Sequence, residues 1–203
     1  MVPYGIGTFG SRATAVGGTA VYTALTKVRD KLAAIAGHIL QEDPKRLVFR
    51  DRKIFLKSNP AKSLAFAEAV SAAYVAKTLP PGMEPGLEAT HFFEPSNFTF
   101  PFGAHVAVVE VDAETGEVHL LRYVAVDDCG RVINPLLVDG QVHGGIVQSL
   151  GQAFLEEAVY DENGQLLTGE LTDYAIPRAW DVPRLETART VTPSPVNPLG
   201  VKG

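Results

Sequence analysis

At 203 residues, with 46% hydrophobic and 20% charged side chains, the chain is long enough to bury a core in one or two domains. Its net charge of -5 excludes the broad basic surface that draws nucleic acid or anionic lipid through counterion release, leaving small molecules and other proteins as partners. A single cysteine, Cys129, excludes an internal disulfide and a cysteine-held iron-sulfur or zinc centre, so any such centre belongs on another chain. The opening Met-Val-Pro-Tyr-Gly-Ile-Gly has no basic stretch followed by an apolar run, and no apolar segment is long enough for a bilayer core of about 30 Å. The expected location is therefore cytoplasmic.

In chain order, Val16, Val21, Leu25, Val28, Leu32, Ile35 and Ile39 recur at helical spacing and predict an amphipathic helix from Thr14 to about Leu40. Residues 46–50 and 53–57 read as two strands joined through Asp51 and Arg52. Asn59 as a cap and Pro60 at the first helical position predict a second helix, burying Leu64, Ala67, Val70, Tyr74 and Val75. Leu-Pro-Pro-Gly-Met-Glu-Pro-Gly at 79–86 reads as a boundary or long connection. Residues 104–112 and 117–127 then form a hairpin candidate with Gly116 at the turn. A helical pattern over 139–157 carries glycine at 140, 144, 145 and 151. Each glycine costs about 1 kcal/mol relative to alanine, which close packing by a neighbour would offset. The proline-rich tail at 191–203 reads as an ordered extended loop or a frayed end. The expected class is α+β, as two helix-plus-mixed or antiparallel-sheet units spanning 1–80 and 87–203.

Gly5-Ile-Gly-Thr-Phe-Gly-Ser-Arg-Ala-Thr sets several backbone amides, hydroxyls and a guanidinium ahead of a helix, the pattern of an anion cradle or of an ordinary capping loop. Asp127 and Asp128 could act as a carboxylate pair, Cys129 as a nucleophile and His143 as a base, or each could be structural. Gln141 and Gln148 lie seven residues apart, about two helical turns, so they share a face. Their amides, both donor and acceptor, suit the edge of a heterocycle. His38, His91, His105, His119 and His143 have no metal-ligand spacing, and no protein-bound metal is expected. Phe92, Phe93, Phe98, Phe100 and Phe102 read as core and loop packing.

Taken together, Gly7-Thr-Phe-Gly-Ser-Arg-Ala-Thr14, Asp127-Asp-Cys-Gly-Arg-Val-Ile-Asn-Pro135, Asp139-Gly-Gln-Val-His-Gly-Gly-Ile-Val-Gln-Ser-Leu-Gly151 and Thr192-Pro-Ser-Pro-Val-Asn-Pro-Leu-Gly-Val-Lys-Gly203 resemble the C-terminal part of the molybdopterin-binding subunit of the xanthine oxidase family, of the carbon monoxide dehydrogenase and aldehyde oxidase type. The resemblance implies a cradle for molybdenum on molybdopterin, commonly the cytosine dinucleotide form, built from Thr8, Phe9, Gly10, Ser11, Arg12 and Thr14, with Asp128, Cys129, Asn134, Gln141, Gln148 and Lys202. It implies an oxidoreductase that hydroxylates an aldehyde, an N-heterocycle or carbon monoxide and passes electrons to iron-sulfur and FAD subunits. The family's general base, a glutamate, is expected just beyond Gly203. The chain would then be inactive without the remainder of the subunit. A folded remnant or assembly module that binds partner subunits without cofactor is the alternative.

Overall fold

The computed structural model describes Gly5 and residues 7–203, so Ile6 of the glycine-rich segment and Met1–Tyr4 lie outside the described residues. The fold is α+β and divides into two compact units, one formed by 16–94 and the other by the first fifteen residues together with 95–203. The expected first unit was to open with the glycine-rich loop. The division instead places that loop with the C-terminal half, because its contacts are to Phe98 and Gly203.

Helix α1, Thr19–Leu40, belongs to the unit of 16–94 and follows a π-helical turn, Ala13–Gly18, within which the division falls. Strands β1 (Leu47–Arg50) and β2 (Lys53–Leu56) form the expected hairpin. Asp51 and Arg52 both have positive φ (51° and 59°), the turn whose twist matches that of the flanking strands. The helix expected from Asn59 is instead strand β3 (Asn59–Ala65), antiparallel to β2, and helix α2 begins only at Phe66 and runs to Ala72. Pro60 is tolerated there because β3 is an edge strand, where a missing N–H breaks no ladder. Helix α2 is started by Glu68, whose carboxylate accepts from the Ala65 N–H at 3.1 Å. It buries Ala69, with Ala73 just past its end, while Ala67, Tyr74 and Val75 of the expected buried face are exposed.

The core of this unit joins Leu32 and Ala36 of α1 to Ile54 of β2 and Ala69 of α2, with Ile35, Ala73 and Leu79 alongside. Only the part of the α1 stripe from Val28 to Ile35 is used, since Val21, Leu25 and Ile39 are exposed. Ile54 is fully buried at the centre. Ile54→Ala is expected to destabilise by about 2–5 kcal/mol, read as a lower urea midpoint with unchanged slope. An unchanged midpoint would show that this cluster is not the core.

In the other unit, β4 (Phe102–Val111) and β5 (Val118–Asp128) pair antiparallel from Phe102↔Asp128 to Val111↔Val118, with a bulge after Val108. Asp112 shapes the turn by accepting from the Thr115 and Glu114 amides, each at 2.8 Å. These bonds, Thr115's first, hold its carboxyl below the ordinary value. Helix α3 (Pro135–Phe154) follows, and β6 (Leu185–Arg189) then pairs parallel to β5. Ile146 and Leu150 of α3 pack on Ala125 of β5, burying one face of this mixed sheet.

The glycines of α3 depart from expectation. A Cβ at Gly151 would run into Pro177 and the Glu156 carboxylate, as close packing requires, whereas Gly140, Gly144 and Gly145 meet nothing within 4 Å. The tail is an ordered loop. Asn197 bonds the Val201 backbone twice, at 2.9 and 3.2 Å, and Ser194, Asn197 and Val201 are buried. Among the described residues no helix is long and apolar enough to cross a membrane.

Candidate functional site

All the site residues expected from sequence fall in one unit, that of 95–203 with the first fifteen residues. The loop ahead of α1 turns at Gly10 (φ 60°) and Ser11 (φ 51°), closed by the Arg12 N–H on the Phe9 carbonyl at 3.4 Å. Left-handed φ at these two successive residues makes a tight turn that brings Arg12 back beside Phe9. Arg12 is held by aromatic faces, its guanidinium carbon lying 5.6 Å from the Phe9 ring centre and 5.5 Å from that of Phe98. Among the described residues it has no carboxylate partner. Such an arginine keeps its fork of donors for a ligand. Thr8 and Thr14 are exposed beside it.

The tail closes on this loop. A Cβ at Gly203 would touch the Ser11 carbonyl at 3.0 Å, so the first and last motifs of the sequence are neighbours in space. The tail is anchored to the end of β5 by the Lys202 N–H on the Cys129 carbonyl (2.8 Å) and the Arg131 N–H on the Gly200 carbonyl (2.8 Å). Gly130 has φ +72°, and a Cβ there would run into the Gly200 carbonyl. Only glycine satisfies both conditions.

Asp128 is the electrostatic centre of this anchor. Its carboxylate is fully buried and accepts from Lys202 Nζ at 2.9 Å, the Gly130 N–H at 2.9 Å and the Thr190 hydroxyl at 2.9 Å. Burial alone would raise its pKa. The Lys202 bond, the Gly130 amide and the Thr192 and Thr190 hydroxyls outweigh it and hold the carboxyl well below the ordinary range. Lys202 Nζ also sits 4.1 Å from the Phe102 ring centre. Its charge is thus shared between a buried carboxylate and a phenyl face.

Asp127 and Asp128 do not form a carboxylate pair. Neighbours on a strand point to opposite faces, and Asp127 turns to His105, whose Nε2 lies 3.2 Å from both carboxylate oxygens while Nδ1 meets the Tyr123 hydroxyl at 3.1 Å. Asn134 caps α3, its side-chain oxygen accepting from the Leu136 and Leu137 amides at 3.1 and 3.4 Å. Cys129 is half-buried and His143 exposed, each without a side-chain hydrogen bond among the described residues.

Gln141 and Gln148 are exposed on α3, on the side opposite the buried Ile146 and Leu150 at about 100° per residue. The open glycines 144 and 145 share that side, with Gly140 at its flank. It is a flat strip of backbone flanked by two amides, neither of them bonded within the described residues. The sequence reading missed Phe98, Phe102, Gly130 and Thr190. It also took the phenylalanines for packing, whereas Phe92, Phe98, Phe100 and Phe102 are exposed and two of them serve as faces for cations.

Residues 1–183 match the molybdopterin cofactor-binding domain family. The chain is 42% identical to the carbon monoxide dehydrogenase large chain of Hydrogenophaga pseudoflava over 99% of its own length and 25% of that protein. It is 36% identical to the nicotine 6-hydroxylase large subunit of Paenarthrobacter nicotinovorans, over 98% of this chain and 25% of that one. It superposes on the crystal structure of quinoline 2-oxidoreductase from Pseudomonas putida 86 with a TM-score of 0.89 and 43% identity, covering 98% of this chain and 26% of that one. The chain thus spans about a quarter of the length of the relatives it matches. With the cation, tight turn and amide strip gathered in one unit of a chain so matched, the chain belongs to the molybdopterin cofactor-binding domain family, as found in large subunits of the carbon monoxide dehydrogenase and xanthine dehydrogenase type.

Proposed function

We propose that the chain is the cofactor-holding portion of a molybdenum hydroxylase large subunit, an oxidoreductase, and that it binds molybdopterin in its cytosine dinucleotide form. The observation that carries this is Arg12, a guanidinium over the rings of Phe9 and Phe98 with no acid partner among the described residues, in the turn made by Gly10 and Ser11. That donor set fits a phosphate. The α3 strip fits the other end of the same molecule, because Gln141 and Gln148 offer neutral donors and acceptors over glycines that let a flat heterocycle approach the backbone.

When bound, the cofactor supplies the redox centre at which an electrophilic carbon is hydroxylated. The chain's own residues bind and orient it. Thr8, Phe9, Gly10, Ser11, Arg12 and Thr14 form the phosphate end, and Gln141 with Gln148 the pterin end. Asp128, Cys129, Asn134 and Lys202 serve by fixing the turn and tail around it, since the charges of Asp128 and Lys202 are spent on each other. The substrate is an aldehyde, an N-heterocycle or carbon monoxide. Electrons leave to iron-sulfur and FAD subunits, which fits a chain whose one cysteine cannot hold a cluster.

The chain purified alone is expected to show no turnover, because it spans about a quarter of the length of the relatives it matches, and a general base must be held at hydrogen-bond reach of the substrate by walls that the rest of such a subunit would supply. Co-expression with the rest of a large subunit, followed by assay of molybdenum and cytidine nucleotide per protein, tests the reading. Near-stoichiometric amounts of both are expected. A complex that copurifies but holds neither would instead make the chain an assembly module, and steady aldehyde or purine oxidation by the isolated chain would overturn its dependence on the remainder.

A further inference from the structure

Strand β4 has the sequence of an interior strand and the position of an edge. Its run Phe-Gly-Ala-His-Val-Ala-Val-Val-Glu-Val contains one carboxylate, one histidine and no proline. Strands buried on both faces read as such near-continuous apolar runs, whereas natural edge strands are short or carry lysine, proline or bulges that deter pairing. Yet β4 pairs with β5 alone, and all ten of its residues are exposed. Its length, about 33 Å at the usual rise per residue, leaves a long row of unpaired backbone groups.

Beyond Phe102, whose ring lies under Lys202, the register shows that neither face is covered. Phe102, Ala104, Val106 and Val108 stand opposite Asp128, Val126, Val124 and Arg122, on the side away from α3, where Val106 is 59% exposed. Val109 pairs with Leu120, which packs toward α3, but Val109 itself remains 45% exposed because α3 lies over β5 and β6. Valines bare on both sides of a strand, along an unpaired edge, call for a further strand with its own covering layers.

We propose that β4 is completed by a β-strand from the remainder of the large subunit, added along its free edge, with apolar side chains from that remainder covering its two faces. This rests on the reading of the chain as one portion of such a subunit. The relatives supply the occupant, being about four times the length that this chain covers. A second copy of the chain would meet the need less well. Pairing β4 with its counterpart would satisfy the edge, but that counterpart is equally bare, so both faces would stay exposed.

The test is co-expression of the chain with the part of the Hydrogenophaga pseudoflava large chain that it does not match, followed by hydrogen exchange over residues 102–111. In the chain alone, about half of these amides, those bonded to β5, are expected to be protected. In the complex nearly all should be. Val106→Lys with Val108→Lys should leave the melting of the isolated chain unchanged, because both side chains already face solvent, yet lower recovery of the complex at least 10-fold. A complex that forms with β4 exchange unchanged, or that tolerates the two lysines, overturns the proposal and leaves the reading of the chain intact. Failure to form any complex overturns that reading and the proposal with it. A dimer of the isolated chain that already protects all of β4 assigns the edge to a second copy and also overturns it.

Discussion

Lys202→Met is expected to lower the melting temperature of the chain by roughly 10 °C at pH 7. Methionine keeps the length and apolar stem of lysine, so packing over Phe102 survives while the charge is lost. What remains is a carboxylate at Asp128 with no exposure and no counter-ion, bonded only to the Gly130 amide and the Thr190 and Thr192 hydroxyls. The direction of the pH dependence follows from linkage. In the native protein the Asp128 carboxyl titrates below its unfolded value of about 3.9, so its contribution is complete above that pH and declines as pH falls through the folded-state value. In the variant, burial is opposed by fewer partners and the carboxyl titrates higher. The gap between the two proteins should therefore be widest near neutrality and narrow progressively as pH falls through the range in which the variant's carboxyl, but not yet the native one, takes up a proton. Thermal melts from pH 3 to 8 measure it. A gap that does not depend on pH would mean that lysine contributes packing alone.

This ion pair also shows what could not be read from the sequence. Asp128 and Lys202 stand 74 residues apart, and nothing local at either position announces the other. The hairpins were legible because their turns carry the signal at short range, in Asp51-Arg52 and in Asp112 to Gly116. The helical face of Gln141 and Gln148 was legible because a seven-residue spacing fixes a direction. Strand β6 was not, since Leu185 to Arg189 is short and its parallel partner lies beyond a whole helix, so only the tertiary fold makes it a strand. Asn59-Pro60 misled for a related reason. The pair suits a helix start and an edge strand equally, and the choice was made by pairing with β2. Arg12 could be placed in an anion-binding loop from its glycines, but its aromatic clamp needed Phe98, which is remote in sequence. The open glycines of α3 are the instructive error. The sequence reading expected each to be packed by a neighbour, and only Gly151 is, which leaves Gly140, Gly144 and Gly145 to a ligand or a partner outside the chain.

Gln141→Ala and Arg12→Ala are expected to lower cofactor retention by different routes in the complex with the rest of the subunit. Gln141 lies on the glycine-lined side of α3, where a bound pterin would exclude water from the amide and from its own ring edge. Truncation leaves ring groups buried and unpaired, at about 1–3 kcal/mol each, so cofactor should be lost on dilution at roughly 5- to 100-fold higher protein concentration. On the proposed reading Arg12 would meet a charged group instead. Its removal takes away a guanidinium and its aromatic clamp together, and the loss should grow as salt is lowered, since the native charge pairing that it abolishes is strongest there. Arg12→Lys should restore only part of it, because an ammonium keeps the charge but not the planar fork between Phe9 and Phe98. The salt response separates the two sites, as a neutral amide at Gln141 should show almost none. The measurement is molybdenum and cytidine nucleotide per protein after identical purification at two ionic strengths. If both alanine variants keep full occupancy on dilution, neither residue holds the cofactor and the α3 strip belongs to a protein partner instead.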